Sequence, residues 1–506
     1  MSDQRNTLAK TFKPHWIWAM AFGSAVGWGS FVLPANWIAQ AGPLGVIIGF
    51  AIGAAAMILI GVSTAYLIRA YPVTGGPFAY SYLCFGRNHA FICGWFLILG
   101  YASVVALNAS AMGLMVKFLF PGFVKTGQLY SVAGWNIYLV QVLIVSGILI
   151  LFAWLNYRGA GVSGRTQFLF CVLLLMAAVV VTIGMASSPS TTLSNLSPAF
   201  KPGIGSWSAI AGIVAIAPWA YVGFDTVPQT AEEFNFSPRK ATTLIISALA
   251  IAAIHYSILI VATGLAMPWT DLAARHELWG TGYAVQSVLG YGGLSVLVVA
   301  LTMGIFTGLN GFYISTSRLM FAMGRARAIP PMFARLHYNH NTPYNSIVFV
   351  CVISLVAPWF GRPVLLWIVN MSAIGVSIAY LYYCLAAYRL FRWHAGSPAN
   401  GLNAEVAPFK KIVSLVGSGC SIGFLGLLLI PGSPGALGMP SWIVLAFWVA
   451  LGVGFYTMYA GDYQNSSTEE LDYLILGEQV SAQEDKTNYR THTTRRAESA
   501  STWGKQ

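Results

Sequence analysis

From Pro14 to Ile68 the chain carries no Asp, Glu, Lys or Arg. A charge-free run of that length has room for two crossings of a hydrocarbon layer, each of which takes about 20 apolar residues. Apolar stretches of spanning length recur near 16–41, 44–68, 90–116, 136–156, 167–187, 207–230, 241–266, 288–317, 345–361, 364–388, 412–431 and 440–460. The chain is 57% hydrophobic and only 8% charged, which fits a polytopic membrane protein of twelve spans and no large soluble domain. A secretory leader would have a short apolar core, whereas the first apolar run continues from Trp16 to about Ala41, so this span is expected to stay.

Loops on the cytoplasmic side of a membrane collect Lys and Arg. With the N-terminus inside, only Lys117, Lys125, Lys201, Arg275 and Arg362 of the 27 basic residues fall on the outer side. The formal charge of +12 is therefore a topology signal, and no basic surface domain supports nucleic-acid binding. The expected layout is a cytosolic N-terminus over 1–15, a transport core over 16–391, two additional spans over 392–460 and a cytosolic, unstructured tail over 461–506. That tail is polar, acidic from Asp462 to Asp485 and basic from Lys486 onward. The six cysteines are scattered without C-x-x-C spacing, so neither a zinc site nor a disulfide framework is indicated and packing is their expected role.

Two of the apolar runs are broken. Gly23-Ser24-Ala25-Val26-Gly27-Trp28-Gly29 interrupts the first, and Ala217-Pro218-Trp219-Ala220-Tyr221-Val222-Gly223-Phe224-Asp225 interrupts the sixth. An unpaired backbone group in lipid costs several kcal/mol, so irregular backbone at membrane depth is expected only where it lines a cavity or meets a ligand. Paired interruptions in corresponding halves point to a transport site. In the first break, N–H groups around Gly27 to Ser30 start an outer half-helix and suit a carboxylate. In the second, Pro218 cannot donate, which leaves carbonyls near Ala215 to Ala217 for a cation. A zwitterion would bridge the two, and an amino acid has that shape. Small residues at such spacings also serve close helix packing.

Of the fifteen acidic residues, Asp225 alone falls inside a span. An ionised carboxylate at bilayer depth costs roughly 2.5–3.5 kcal/mol on insertion scales, so it needs a partner, water or a proton. No basic residue is assigned to a membrane interior to pair with it, and the reading that follows is a group that takes and releases a proton during transport. Capping of a nearby half-helix is the alternative.

These residues resemble the amino acid-polyamine-organocation transporters over roughly 15–430. Gly23-Ser24 with Gly27-Trp28-Gly29-Ser30-Phe31 is similar to that family's glycine-rich first helix, although Ser30 stands where isoleucine is usual. Tyr71-Pro72-Val73-Thr74-Gly75-Gly76-Pro77-Phe78-Ala79-Tyr80 resembles the signature after its second helix. Gly223-Phe224-Asp225, Ala231-Glu232-Glu233 and Ser237-Pro238-Arg239 resemble its sixth helix and the loop beyond. Ser317-Arg318, Ala322-Met323-Gly324-Arg325, Ile329-Pro330 and Thr342-Pro343 resemble the end of its eighth helix and the inner loop.

The resemblance implies an all-α membrane protein of twelve transmembrane helices with a LeuT-like five-plus-five inverted repeat and discontinuous helices 1 and 6. It implies a bacterial-type amino acid permease without cofactors in the cytoplasmic membrane, both termini cytosolic. The substrate set expected from breaks and resemblance together is Ser24, Ala25, Val26, Gly27, Gly29 and Ser30, then Ala215, Ile216, Ala217 and Trp219, with Tyr101 and Asn310 beside them. Trp219 matches an aromatic that closes over substrate, and Asp225 an acidic position linked to proton coupling. Asn310 either binds substrate or bridges helices. Glu232 and Glu233, near Arg239 and Lys240, are expected to form an exposed inner salt-bridge cluster or a gate. Some proton-coupled relatives carry a lysine in helix 5 where this chain has Leu174, which leaves sodium as the second coupling ion, held by Gly23, Val26, Ser315 and Thr316.

A membrane enzyme would show a nucleophile with its base or a metal cluster, and a pump would show a phosphate-binding loop; neither pattern occurs. A channel would want rings of charge or carbonyls in an oligomer. Secondary transport of a neutral or cationic amino acid is the leading reading, with an amine or polyamine permease, an amino acid/amine exchanger or a sodium-coupled carrier as alternatives.

Overall fold

A computed structural model describes residues 5–132, 135–203, 205–393, 408–433 and 435–477. The first apolar run is three helices in series, α1 (Pro14–Val26), α2 (Gly29–Val32) and α3 (Pro34–Ala41), followed by α4 (Pro43–Ala70), the short α5 (Pro77–Phe85), α6 (Arg87–Leu119) and α7 (Pro121–Val124). A hairpin of β1 (Gln128–Val132) and β2 (Trp135–Tyr138) precedes α8 (Leu139–Tyr157) and α9 (Ala160–Ser187). The sixth run is again serial: α10 (Ser206–Ala215), α11 (Ala217–Ala220) and a 3₁₀ helix over Phe224–Glu233. Then come α12 (Ala241–Leu265), α13 (Trp269–Ala274) and α14 (Gly280–Arg325), the last interrupted at Gly290. The chain continues through α15 (Tyr344–Ser354), α16 (Arg362–Trp393), α17 (Pro408–Leu429), α18 (Met439–Asn465) and α19 (Thr468–Leu476).

Among the described residues, nine helices are long and apolar enough to cross a membrane. The predicted spans near 16–41, 207–230 and 345–361 are the ones missing from that count, because each is divided into shorter helices. The spanning helices are apolar all round, as expected where one face meets lipid and the other meets protein. Leu143, Ile150, Met176, Val180, Ile183, Ile254, Ile422 and Phe447 are turned outward and more than half exposed. Polar side chains such as Asn108, Asn156, Gln167, Asp225 and Asn310 are buried. The interior is built where α14 runs along α9 and α6, α16 along α6, and α12 along α4, with α1 threaded between α9, α12 and α14.

Two segments depart from their predicted state: the β1–β2 hairpin, which takes the start of the span expected near 136–156, and the tail. The tail expected to be unstructured from 461 is helical as far as Leu476, and α19 buries Leu471, Leu474, Ile475 and Leu476. Ser467 caps it by accepting from Glu470 N–H at 3.0 Å, and Asp472 accepts from Tyr82 Oη at 2.8 Å. The reason is local: Leu471, Leu474 and Ile475 recur at helical spacing inside a sequence that is otherwise acidic, and they supply one apolar face. The rest of the tail, from 478, lies outside the described residues.

Candidate functional site

The two interruptions lie side by side. Gly27 ends α1 with φ +46° and ψ −165°, a conformation that L side chains rarely adopt. Its own N–H is used, donating to Gly23 O at 3.3 Å. Among the described residues, the N–H groups of Trp28, Gly29 and Ser30 find no acceptor in hydrogen-bond geometry. These three are the donors of the first break, one residue later than the expected cradle.

In the second break two of the three expected carbonyls are in use, since Ile216 O and Ala217 O accept from Ala220 N–H and Tyr221 N–H at 2.9 and 3.0 Å, while among the described residues no backbone N–H reaches Ala215 O. Pro218 sits in the first turn of α11, where its missing N–H is an orphan anyway, so it begins a turn there. The rupture comes at Gly223, whose φ is +146° and whose N–H donates to Asp225 Oδ1 at 2.8 Å. A Cβ at Gly223 would lie 2.4 Å from Ala25 N, so only glycine lets the second break rest against the first.

A cavity of about 20 Å³, enough for about one water, lies between the breaks. Ser24, Ala25, Val26, Gly27 and Gly29 line it from one side and Trp219, Ala220 and Val222 from the other. Trp219 stands edge-on to Trp28 at 5.9 Å between ring centroids, and its ring covers Gly29 so closely that a Cβ there would come within 2.8 Å of Cη2. Ala215, Ile216 and Ala217 do not line the cavity, and Ser30 donates instead to Gly27 O and meets His255 Nε2 at 3.4 Å. Val104, Leu107 and Asn108 of α6 and Tyr256 of α12 complete the wall. Sequence reasoning missed all four; Asn108 was visible as an amide inside an apolar run. Among the described residues, Asn108 Oδ1 and Ser24 Oγ, both buried there, have no hydrogen-bond partner.

Asp225 is fully buried a turn beyond the cavity. Tyr101 donates to its Oδ2 at 2.9 Å and lies 2.7 Å from its backbone carbonyl, which places Tyr101 on the carboxylate and out of the cavity wall. The hydroxyls of Tyr380 and Tyr383 lie within electrostatic reach of the same carboxylate. Among the described residues no cation pairs with it.

Glu233 is buried and Glu232 is 12% exposed, and both pair with arginines other than Arg239, which corrects the expectation of an exposed cluster with Arg239 and Lys240. Arg318 clasps Glu233 with Nε–Oε1 and Nη2–Oε2 at 2.9 and 3.2 Å, their side chains 1% and 2% exposed. Glu232 accepts from Arg325 at 3.2 Å and from Arg5 at 3.1 Å. Burial raises the affinity of the Glu232 carboxyl for a proton, yet Arg325, Arg5 and the Thr74 N–H together hold it below the usual carboxylate range. At the same end Phe12 makes a strand-like contact with Phe234, beside a cleft of about 580 Å³ lined by Arg5, Lys10, Glu232 and Phe234.

Asn310 bridges helices. It donates to Ser163 O and Gln167 Oε1, both at 2.9 Å, and accepts from Asn156 at 3.1 Å, while Gln167 Nε2 donates to Ala19 O and Thr307 O at 3.2 Å. Of the expected sodium ligands, Ser315 and Thr316 donate to Gly311 O and Phe312 O of their own helix, and Gly23 O accepts from Thr307 Oγ1 at 2.8 Å.

The sequence matches the family profile described as amino acid permease over residues 17–456. It is 27% identical over 471 residues to a methylthioribose transporter of Bacillus subtilis (strain 168), covering 90% of this chain and 95% of that one. A branched-chain amino acid permease of Lactococcus lactis subsp. cremoris (strain MG1363) is 24% identical over 87% of this chain and 92% of its own. An aspartate-proton symporter of Bacillus subtilis (strain 168) is 24% identical over 68% of this chain and 66% of its own.

Proposed function

The chain belongs to the amino acid permease family, and on that premise we propose that it is a secondary active carrier moving a neutral or cationic amino acid by alternating access. It is a multi-pass membrane transporter and not an enzyme. In this reading the twelve apolar segments all cross the cytoplasmic membrane, helices 1–5 and 6–10 form an inverted repeat, and the end carrying Arg5, Glu232 and Arg325 faces the cytosol. One observation carries it: a cavity lined by both interruptions, where the first break brings the orphan N–H donors of Trp28 and Gly29 and the carbonyls of Ala25 and Val26, and the second brings the carbonyl of Ala220. Unpaired donors and acceptors at one cavity suit a carboxylate and an ammonium carried on one carbon. At about 20 Å³ the cavity is too small for an amino acid, so access requires the Trp28–Trp219 pair to part.

Coupling to protons is supported by Asp225, buried without a cation and held by groups that move with both α6 and the second break. Sodium is the alternative coupling ion, with Ser315 and Thr316 donating to their own helix and keeping their oxygen lone pairs, and the gradient test below decides between the two. The relative named for methylthioribose makes that solute a necessary arm of the test. In proteoliposomes, a panel of amino acids, amines and methylthioribose competes against one labelled amino acid under imposed proton or sodium gradients. Saturable amino acid uptake that an inward proton gradient accelerates is expected, and Asp225→Asn is expected to abolish that acceleration. Uptake of Asp225→Asn that still follows the pH gradient overturns the proton role.

A further inference from the structure

We propose that Tyr256 is a positioning residue whose hydroxyl stands in for one N–H of the substrate, holding both interrupted segments in the geometry that a primary ammonium then takes over. The inference rests on the amino acid reading above. Tyr256 Oη lies 2.9 Å from Ala220 O, 3.1 Å from Ala25 O and 3.3 Å from Val26 O. A phenol has a single hydrogen to donate, so three carbonyls compete for one donor. Among the described residues no backbone N–H reaches any of the three in hydrogen-bond geometry. The chain explains why: in an unbroken helix Ala25 O and Val26 O would accept from Gly29 and Ser30, but Gly27 turns the backbone away. Ala220 O loses Phe224 in the same manner at Gly223.

The aim of the hydroxyl is fixed by its ring. Tyr256 stacks on Phe50 at 4.8 Å and 16°, with Trp37 and Tyr221 edge-on at 5.8 and 5.6 Å, and Tyr221 donates to Phe50 O at 3.0 Å. Ala25, Val26, Ala220 and Tyr256 all line the cavity between the breaks. Three convergent carbonyl oxygens served by one hydrogen fit a group that brings several N–H donors on one atom. A primary ammonium brings three and adds its charge. A hydroxyl in the same place brings one and leaves the carbonyls as short of donors as Tyr256 does. The phenol therefore keeps the two segments together between turnovers and yields its acceptors when an ammonium arrives.

The test uses the full chain in proteoliposomes, with the best amino acid of the panel, its N-methyl and N,N-dimethyl derivatives, and the 2-hydroxy acid of the same skeleton. For the unaltered protein, apparent affinity is expected to fall with each N–H removed and to be at least about 100-fold weaker for the hydroxy acid. In Tyr256→Phe, which keeps the ring, KM for the amino acid is expected to rise at least about tenfold with kcat changed much less, while the hydroxy acid is little affected. The amine-to-hydroxyl preference therefore contracts. Equal weakening of both ligands, or an unchanged preference, overturns the proposal, as does a dimethylated solute binding as tightly as its parent. The N-methyl series on the unaltered protein decides the matter should Tyr256→Phe fail to fold. If no amino acid or amine is transported, the functional reading fails and this inference with it, whereas robust amino acid transport with a flat preference sinks this inference alone.

Discussion

Glu233→Gln separates a gate from a structural pair. The Arg318–Glu233 clasp is bidentate at 2.9 and 3.2 Å, and both side chains are almost fully buried. Glutamine keeps one acceptor and turns an NH₂ toward the guanidinium, leaving the Arg318 charge unpaired. Removing one partner of a buried pair costs about 3–5 kcal/mol. If the clasp closes the basic end in only one conformation, that cost is relieved as soon as the end opens and water reaches Arg318. The conformational equilibrium then shifts by roughly 150- to 5,000-fold toward the open form. The assay is thiol labelling at Thr230→Cys, a fully buried position one turn from Glu233, in a background with the six native cysteines replaced. Labelling is expected to accelerate at least about tenfold in Glu233→Gln, with the thermal midpoint of the detergent-solubilised protein nearly unchanged. Glu233→Leu combined with Arg318→Met, which removes both charges, is expected to restore slow labelling. A midpoint that collapses while labelling stays slow would refute the reasoning, because the pair would then be buried in every conformation the protein visits.

Two further outcomes follow from the same geometry. Gly29→Ala places a Cβ 2.8 Å from Trp219 Cη2, and overpacking of this kind costs about 1–3 kcal/mol; a roughly 5- to 150-fold loss of substrate affinity with normal expression is expected by equilibrium binding. Truncation after Asn465 removes α19 with its buried Leu471, Leu474, Ile475 and Leu476, the Asp472 acceptor of Tyr82 and the Leu474 carbonyl that Arg5 Nε reaches at 3.3 Å, so a lowered thermal midpoint in detergent together with reduced uptake is expected.

The stretches that hold both breaks were legible because glycine and proline cluster in them, and the backbone turns at Gly27 and Gly223 within those stretches. Which backbone groups the breaks set free was not legible. Pro218 predicts free carbonyls behind it only when it lies inside a helix, and whether it ends one turn or begins the next depends on Ile216, which has αR geometry here. Asp225 stood out by being the sole acidic residue in a span, whereas its partner Tyr101 could be placed near the site and not on the carboxylate. The glutamate pairs failed at long range: Arg5 is 227 positions from Glu232 and Arg318 is 85 from Glu233, and nearness along the chain favoured Arg239 and Lys240 instead. Asn310 shows the same limit, since an amide's partners on α8 and α9 leave no mark on its own segment. The helix at Thr468–Leu476 was hidden by charge around it, its apolar face being only a few residues wide.

The polar ties of the two interrupted segments fall into two kinds, and the difference bears on how such a molecule can move. The ties that join the segments to each other are backbone bonds and the Tyr256 hydroxyl. Thr11 and Phe12 N–H donate to Glu233 O at 2.9 and 3.0 Å, Asn235 N–H donates to Phe12 O at 3.0 Å, and Tyr256 spans both breaks halfway along. The ties that join them to the surrounding helices run mostly through side chains: Glu233 to Arg318 of α14, Asp225 to Tyr101 of α6, Ala19 O to Gln167 of α9. Water or a proton can replace a carboxylate's partner at modest cost when a crevice opens, but it cannot replace a ladder-like backbone contact without unpairing both strands. On the carrier reading proposed above, the first and second breaks would travel together against α6, α9 and α14, with the ionisable contacts yielding. A carrier that opens to one side at a time needs that division, since a solute held between two segments moving apart would be released to neither side in order.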